Sequence, residues 1–201
     1  MMIRRIFLGL AFTFCCLFGF SQNMKVKVYM LDEKSPSAGD TIFYDFNHPL
    51  TWNDFKGKPD PNHSGGAVTS SGFAFNSEMN FEDGTYELVI SVYSFFTKHD
   101  SWKKPIIHSA YHLLHEQRHF DITRIGAEQL LHELQEAKIN ENNYQTLLNR
   151  IFQKVYAENN RLQNQYDLET KHSIDVSKQK VWDDKIAMEL KKIQQNNTVL
   201  K

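Results

Sequence analysis

The sequence predicts an α+β fold in which an N-terminal, mostly antiparallel β-sheet packs against C-terminal helices. Two observations carry this. Residues 24–100 hold short runs rich in Val, Ile, Tyr and Phe, separated by turn-forming segments. Residues 101–195 hold apolar residues at helical spacing, with only Pro105 and Gly126 as breakers. Strands that precede the helices, instead of alternating with them, point away from a doubly wound sheet.

The first 22 residues read as a signal peptide, not as part of the fold. Arg4 and Arg5 form a short basic start. Ile6 to Phe20 is an uncharged apolar run, too short for a comfortable transmembrane helix, and Ser21-Gln22-Asn23 turns polar near the expected cleavage point. Phe12-Thr13-Phe14 is too bulky to precede a lipidated Cys15. Both cysteines, Cys15 and Cys16, fall in this segment, so residues 23–201 have no thiol for a disulfide, a nucleophile or a ligand. Loss of Arg4 and Arg5 takes the formal charge from -1 to -3. That balance excludes a nucleic-acid partner and gives no basis for binding anionic membranes. Stable membrane insertion is not expected after cleavage, and the oligomeric state is not legible. About 180 residues remain, enough to bury the core of a single domain over 23–201, β-rich at 24–100 and α-rich at 101–195.

Within the β-rich half, Lys25 to Met30 alternates, Thr41 to Phe46 is short and aromatic, Val68 to Phe75 is rich in Ser, Gly and Ala, and Thr85 to Lys98 is the longest apolar run. Ser35 to Asp40 and Lys56 to Gly66 read as loops. Within the α-rich half, Ile106 to Ala137 reads as a helix, with Pro105 in its first turn and Asp100 or Ser101 as its cap. Tyr144, Leu147, Leu148, Ile151, Phe152, Val155 and Tyr156 form the cleanest amphipathic stripe. A third helix is expected from Val176 to Ile193, with Tyr166 to Ser173 as a polar loop before it.

The first long helix contains His115-Glu116-Gln117-Arg118-His119, an HExxH string. Two histidines four residues apart share one helix face and can present ring nitrogens to one Zn2+ ion. Glu116 points to the neighbouring side, where a carboxylate can take a proton from an activated water. The reading is a zincin-like active-site helix. His108 and His112 lie on the same stripe and are candidates for a second metal or for tuning the first.

Catalytic zinc usually takes three protein ligands. Position 125 is Ile125, so the metzincin pattern is absent and the third ligand comes from further away. His172 is favoured, because imidazole suits zinc and a loop can swing back over the helix. Asp167 or Glu169, and a helical acid such as Glu158 or Glu136, are the alternatives.

Four segments resemble a family of predicted secreted zinc-dependent proteases of otherwise unknown function. They are Leu50-Thr51-Trp52-Asn53-Asp54-Phe55-Lys56-Gly57, Ser101-Trp102, Leu114 to Ile122, and Tyr166-Asp167 with Thr170 and His172. The resemblance implies a ligand at His172. Where the family has a glycine next, this chain has Ser173.

The expected function is that of an exported zinc metallopeptidase, periplasmic or secreted, acting on a peptide or protein substrate with Glu116 as general base. Tyr166 is a candidate donor to the developing oxyanion. The substrate is expected to add as a strand beside a sheet edge, at Val68 to Phe75 or at the strand ending near Lys98. Trp52, Phe55 and Trp102 are candidates for the cleft wall, although aromatics of this kind more often belong to a core. The alternatives are a zinc hydrolase of another envelope amide and a non-enzymatic secreted binding module.

Overall fold

The computed structural model describes residues 24–31 and 39–199, with backbone alone for 197–199. The expected signal peptide at 1–22, with Arg4, Arg5, Cys15 and Cys16, lies outside the described residues, as does most of the Ser35 to Asp40 loop.

The architecture is α+β, as the patterning predicts. A four-stranded sheet is built around β5, Thr85–Thr97. β4, Ser71–Glu82, pairs antiparallel along its whole length. Asp83 and Gly84 form the tight turn between them, both at positive φ, the conformation that a two-residue hairpin requires. The other side of β5 is shared. β1, Met24–Met30, pairs parallel to residues 86–92, and β2, Thr41–Phe43, pairs antiparallel to residues 95–97. The strand that ends near Lys98 is therefore the centre of the sheet and offers no free edge, which corrects one of the two expected substrate-binding edges. A separate two-stranded ribbon joins β3, Ala67–Val68, to β6, Trp102–Lys103.

Three helices follow: α1, Ala110–Glu136; α2, Tyr144–Thr170; and α3, Val176–Val199. The start of α1 differs from expectation. Pairing of Trp102–Lys103 with Ala67–Val68 holds that stretch extended, so Ser109 caps the helix instead, its Oγ accepting the His112 backbone N–H. The α2 helix runs past the expected loop to Thr170 because Tyr166 and Thr170 bury a side among the helices. Polarity of the intervening residues had hidden that period.

α1 is the central helix. Its Ala127, Leu130, Leu131 and Leu134 pack on Leu88, Ile90 and Val92 of β5 and on Leu148, Ile151 and Val155 of α2. In its N-terminal half, Phe120 joins Leu50, Phe55 and Phe96. On its far side, Ile122 meets Tyr166 of α2 and Trp182 and Ile186 of α3. Phe55 is thus core, and Trp52 packs against the same cluster. Gly126 lies where α1 approaches α2 and β4. A Cβ there would stand 2.5 Å from Asn159 Nδ2 and 2.8 Å from Phe73, so any larger residue would force those side chains to shift.

Candidate metal centre and cleft

The HExxH segment spans the second and third turns of α1, at the floor of a cleft of about 620 Å³. One wall is the β3–β4 segment, Ala67–Thr69 and Ser71–Phe73. The other is the end of α2 and the turn that follows it.

His115 Nε2 lies 3.2 Å from Asp167 Oδ1, and His119 Nε2 lies 3.1 Å from the same oxygen. Each ring is held from behind by a glutamine. His115 Nδ1 is 2.9 Å from Gln179 Oε1, and His119 Nδ1 is 2.7 Å from Gln163 Oε1. An amide oxygen only accepts, so each Nδ1 carries a proton, and in the neutral ring each Nε2 turns a lone pair inward. Two imidazole lone pairs and a carboxylate oxygen then face one another with no donor between them. That set repels itself unless a metal ion sits among its members or the rings take up further protons. Among the described residues, His115, His119 and Asp167 form the group that could hold a metal ion, with all three ligand atoms within 4.8 Å of one another.

Without a metal, ring protons take the place of the cation in this set. Burial alone would lift the Asp167 carboxyl, but bonds from His115 and His119 and the charges of His119 and His172 hold it well below the usual carboxylate range. Burial would lower His119, yet its bond to Asp167 and the nearby Asp167 and Glu116 charges raise it above an ordinary imidazole.

His172 stands beside this group. Its Nδ1 is 3.2 Å from Asp167 Oδ1, and its side chain is 53% exposed. The turn that carries it is unusual. Lys171, His172 and Ser173 are all left-handed, with φ of 51°, 51° and 69°. It is pinned by Asp175 N donating to Thr170 O, His172 N to Asp167 O, and the Tyr111 hydroxyl to Ser173 O.

The other expected acids point elsewhere. Glu169 accepts from Trp182 Nε1 and Gln165, Glu158 accepts from Gln129, and Glu136 is exposed at the far end of α1. His108 precedes α1 and is exposed. His112 lines the cleft with its Nδ1 engaged by Ser109 Oγ, outside the metal group.

Glu116 is buried and lines the cleft next to this group. Its Oε2 accepts from Thr69 Oγ1 at 2.7 Å. Tyr166 is not at the cleft. It is fully buried, its ring stacked on His115 at 4.8 Å between centroids. Its hydroxyl donates to the His115 carbonyl at 3.3 Å and accepts from Gln179 Nε2 at 2.6 Å. The expected oxyanion role does not match this position, because the hydroxyl turns into the helix packing. Trp102 lies edge-on to His63, a cleft residue, and neither it nor Trp52 forms part of the lining.

Sequence reasoning missed Gln163, Gln179 and Thr69. The first two belong to i, i+4 pairs, Gln163 with Asp167 and Gln179 with Asp183, but that spacing is common on any polar helix.

The sequence pattern of a family described as "Bacterial protein of unknown function (DUF922)" matches residues 101–173, which covers the HExxH segment, Asp167 and His172. No curated protein and no solved structure matches the chain. No described helix is long and apolar enough to cross a membrane.

Proposed function

We propose that this protein is a zinc-dependent metallopeptidase, exported from the cytoplasm, that hydrolyses peptide bonds with Glu116 as general base. The observation that carries the reading is the set of three inward-facing acceptors, His115 Nε2, His119 Nε2 and Asp167 Oδ1, with the buried Glu116 carboxylate alongside in the same cleft. A purely structural site needs no such acid.

The donor set fits zinc, which accepts imidazole nitrogen and carboxylate oxygen. The assigned ligands are His115, His119 and Asp167, with His172 orienting Asp167 through its 3.2 Å contact. His172 as third ligand is the second reading, favoured by that same contact and by the family resemblance. When bound, zinc supplies Lewis acidity toward water and toward a substrate carbonyl. Glu116 takes a proton from the attacking water and returns it to the leaving amine. Thr69 Oγ1 fixes the carboxylate oxygen it donates to, which leaves Oε1 for the moving proton. The β3–β4 segment beside Glu116 supports the peptide backbone. Export is supported by the basic and apolar character of residues 1–22.

The test pairs zinc content with turnover on a mixture of unstructured peptides, for the wild type and Glu116→Gln. The expected result is zinc in both proteins and a loss of turnover in the variant of roughly 10²- to 10⁴-fold. A wild type that takes up no zinc, or a variant with full turnover, overturns the reading. Zinc uptake with cleavage only of other amides favours an envelope amide hydrolase instead.

A further inference from the structure

The α3 helix lies outside the residues that match the family, yet it reaches the motif. Gln179, 1% exposed, is sandwiched between three polar groups. Its Nε2 is 3.0 Å from Asp183 Oδ1 and 2.6 Å from the Tyr166 hydroxyl, and its Oε1 is 2.9 Å from His115 Nδ1. A glutamine amide can be turned either way, so its neighbours must decide which end faces His115. Asp183 decides it. An ionised carboxylate only accepts, so the end that faces Asp183 must be NH2, and the oxygen must face His115.

Asp183 is itself fixed. Arg118, inside the motif, donates from Nε to Asp183 Oδ1 at 3.0 Å and from Nη1 to Asp121 Oδ2 at 2.7 Å. The Asp121 carboxylate also accepts from Tyr44 at 2.8 Å and from Gln117 at 2.8 Å. The orientation of one amide is thus set by a chain of charged and polar groups that begins and ends on the HExxH segment. His119 has no such chain. Its Gln163 is oriented locally, by the His119 carbonyl at 2.9 Å and Thr123 Oγ1 at 3.2 Å.

We propose that Gln179 and Asp183 are positioning residues: Asp183 sets the Gln179 amide, which locks His115 in its Nδ1–H tautomer with Nε2 bare toward the cleft. The α3 helix is then part of the centre and more than a support for it. The effect on metal binding rests on the zinc reading above, whereas the tautomer lock does not. Both rings donate to a neutral amide oxygen, and behind His115 the Asp183 carboxylate stands one amide further away.

The experiment reads the His115 tautomer by long-range proton–nitrogen NMR at mildly alkaline pH, where free imidazoles are neutral, with zinc affinity measured alongside by chelator competition. Three proteins are compared: wild type, Gln179→Met, and the exchange pair Gln179→Glu with Asp183→Asn. Methionine keeps length and volume but removes the strong acceptor. The exchange pair keeps an acceptor toward His115 and a donor toward position 179. The wild type should show the Nδ1–H form. Gln179→Met should show mixed tautomers and roughly 10- to 100-fold weaker zinc binding at unchanged helix content. The exchange pair should restore both. A wild type in the Nε2–H form, or Gln179→Met with the wild-type tautomer and affinity, overturns the proposal, as does an exchange pair that restores neither. Tautomers that follow the proposal in a protein that binds no zinc would keep the lock and remove the hydrolase reading.

Discussion

Thr69 Oγ1 lies 2.7 Å from Glu116 Oε2 and 3.1 Å from the Glu116 carbonyl oxygen, so one hydroxyl from the β3–β4 connection bridges the side chain and backbone of the motif's acid. It is the direct polar link between the sheet side of the cleft and the residue proposed as base. Hydrogen bonds to a charged group contribute about 1.5–3 kcal/mol. Thr69→Val should therefore lower kcat by roughly ten- to a hundredfold at unchanged zinc content, and Thr69→Ser should restore most of it. Steady-state kinetics beside elemental analysis checks this. A wild-type kcat in Thr69→Val would remove the positioning role.

The two acceptable third ligands are separated by their effects on metal. Asp167→Ala should weaken zinc binding by more than His172→Ala, which should cost roughly 10- to 100-fold as the loss of an orienting contact. Chelator competition measures both. The opposite ranking would make His172 the ligand and Asp167 its partner.

Without metal, the Asp167–His119 contact gives stability with a defined pH window. His119 is raised in the folded chain, so its contribution is complete below the unfolded value of 6.5 and is lost as pH rises through the raised folded value. Asp167 is depressed, so its contribution is present above 3.8 and is lost only as pH falls through its lower folded value. Chelated protein should thus lose thermal stability as pH climbs above 6.5. Zinc should reverse that slope, because ligand imidazoles must be neutral. Melting temperatures across pH, with chelator and with zinc, read both arms. A chelated protein that gains stability above pH 6.5 would contradict the contact.

Ser173 sits at φ 69°, last of three consecutive left-handed residues. For a residue with a Cβ that conformation costs roughly 1–2 kcal/mol, while glycine costs about 0.5–1 kcal/mol of unfolded-state entropy. Ser173→Gly should therefore stabilise the protein by up to about 1 kcal/mol, a rise in melting temperature of roughly 2–4 °C. Ser173→Val should destabilise it. A lower melting temperature in Ser173→Gly would mean the turn depends on the serine side chain.

Gly126→Ala should destabilise by about 1–3 kcal/mol, since the new Cβ meets Asn159 and Phe73 below contact distance. Asn159 would have to release the Ile122 carbonyl it binds at 2.8 Å. Denaturant unfolding measures this. A neutral outcome would show that α2 can shift without cost.

The helical stripe from Tyr144 to Tyr156 and the HExxH spacing were legible because both repeat with the period of the structure that carries them. What could not be read locally was anything fixed by a distant partner. Trp102–Lys103 is a strand only because Ala67–Val68 lies beside it. Tyr166 looked like a cleft donor from its nearness to His172 in the chain, but it packs beneath His115. Asp167 and His172 were both candidates from sequence, and their separation depends on how far the last turn of α2 continues, which polar residues do not reveal. Gln163 and Gln179 are ordinary polar positions until the three helices are packed.

Those glutamines stand 44 and 64 residues beyond the histidines they hold. A chain folded only through α1 would own the two motif histidines and little else: no Asp167, no rings fixed from behind, no second wall to the cleft. On the zinc reading, metal capture depends on α2 and α3 being packed on α1, because Asp167 and both glutamines come from them. On the proposed reading, a nascent or half-folded copy is inert toward its neighbours, and hydrolytic activity reports that the last helix has docked.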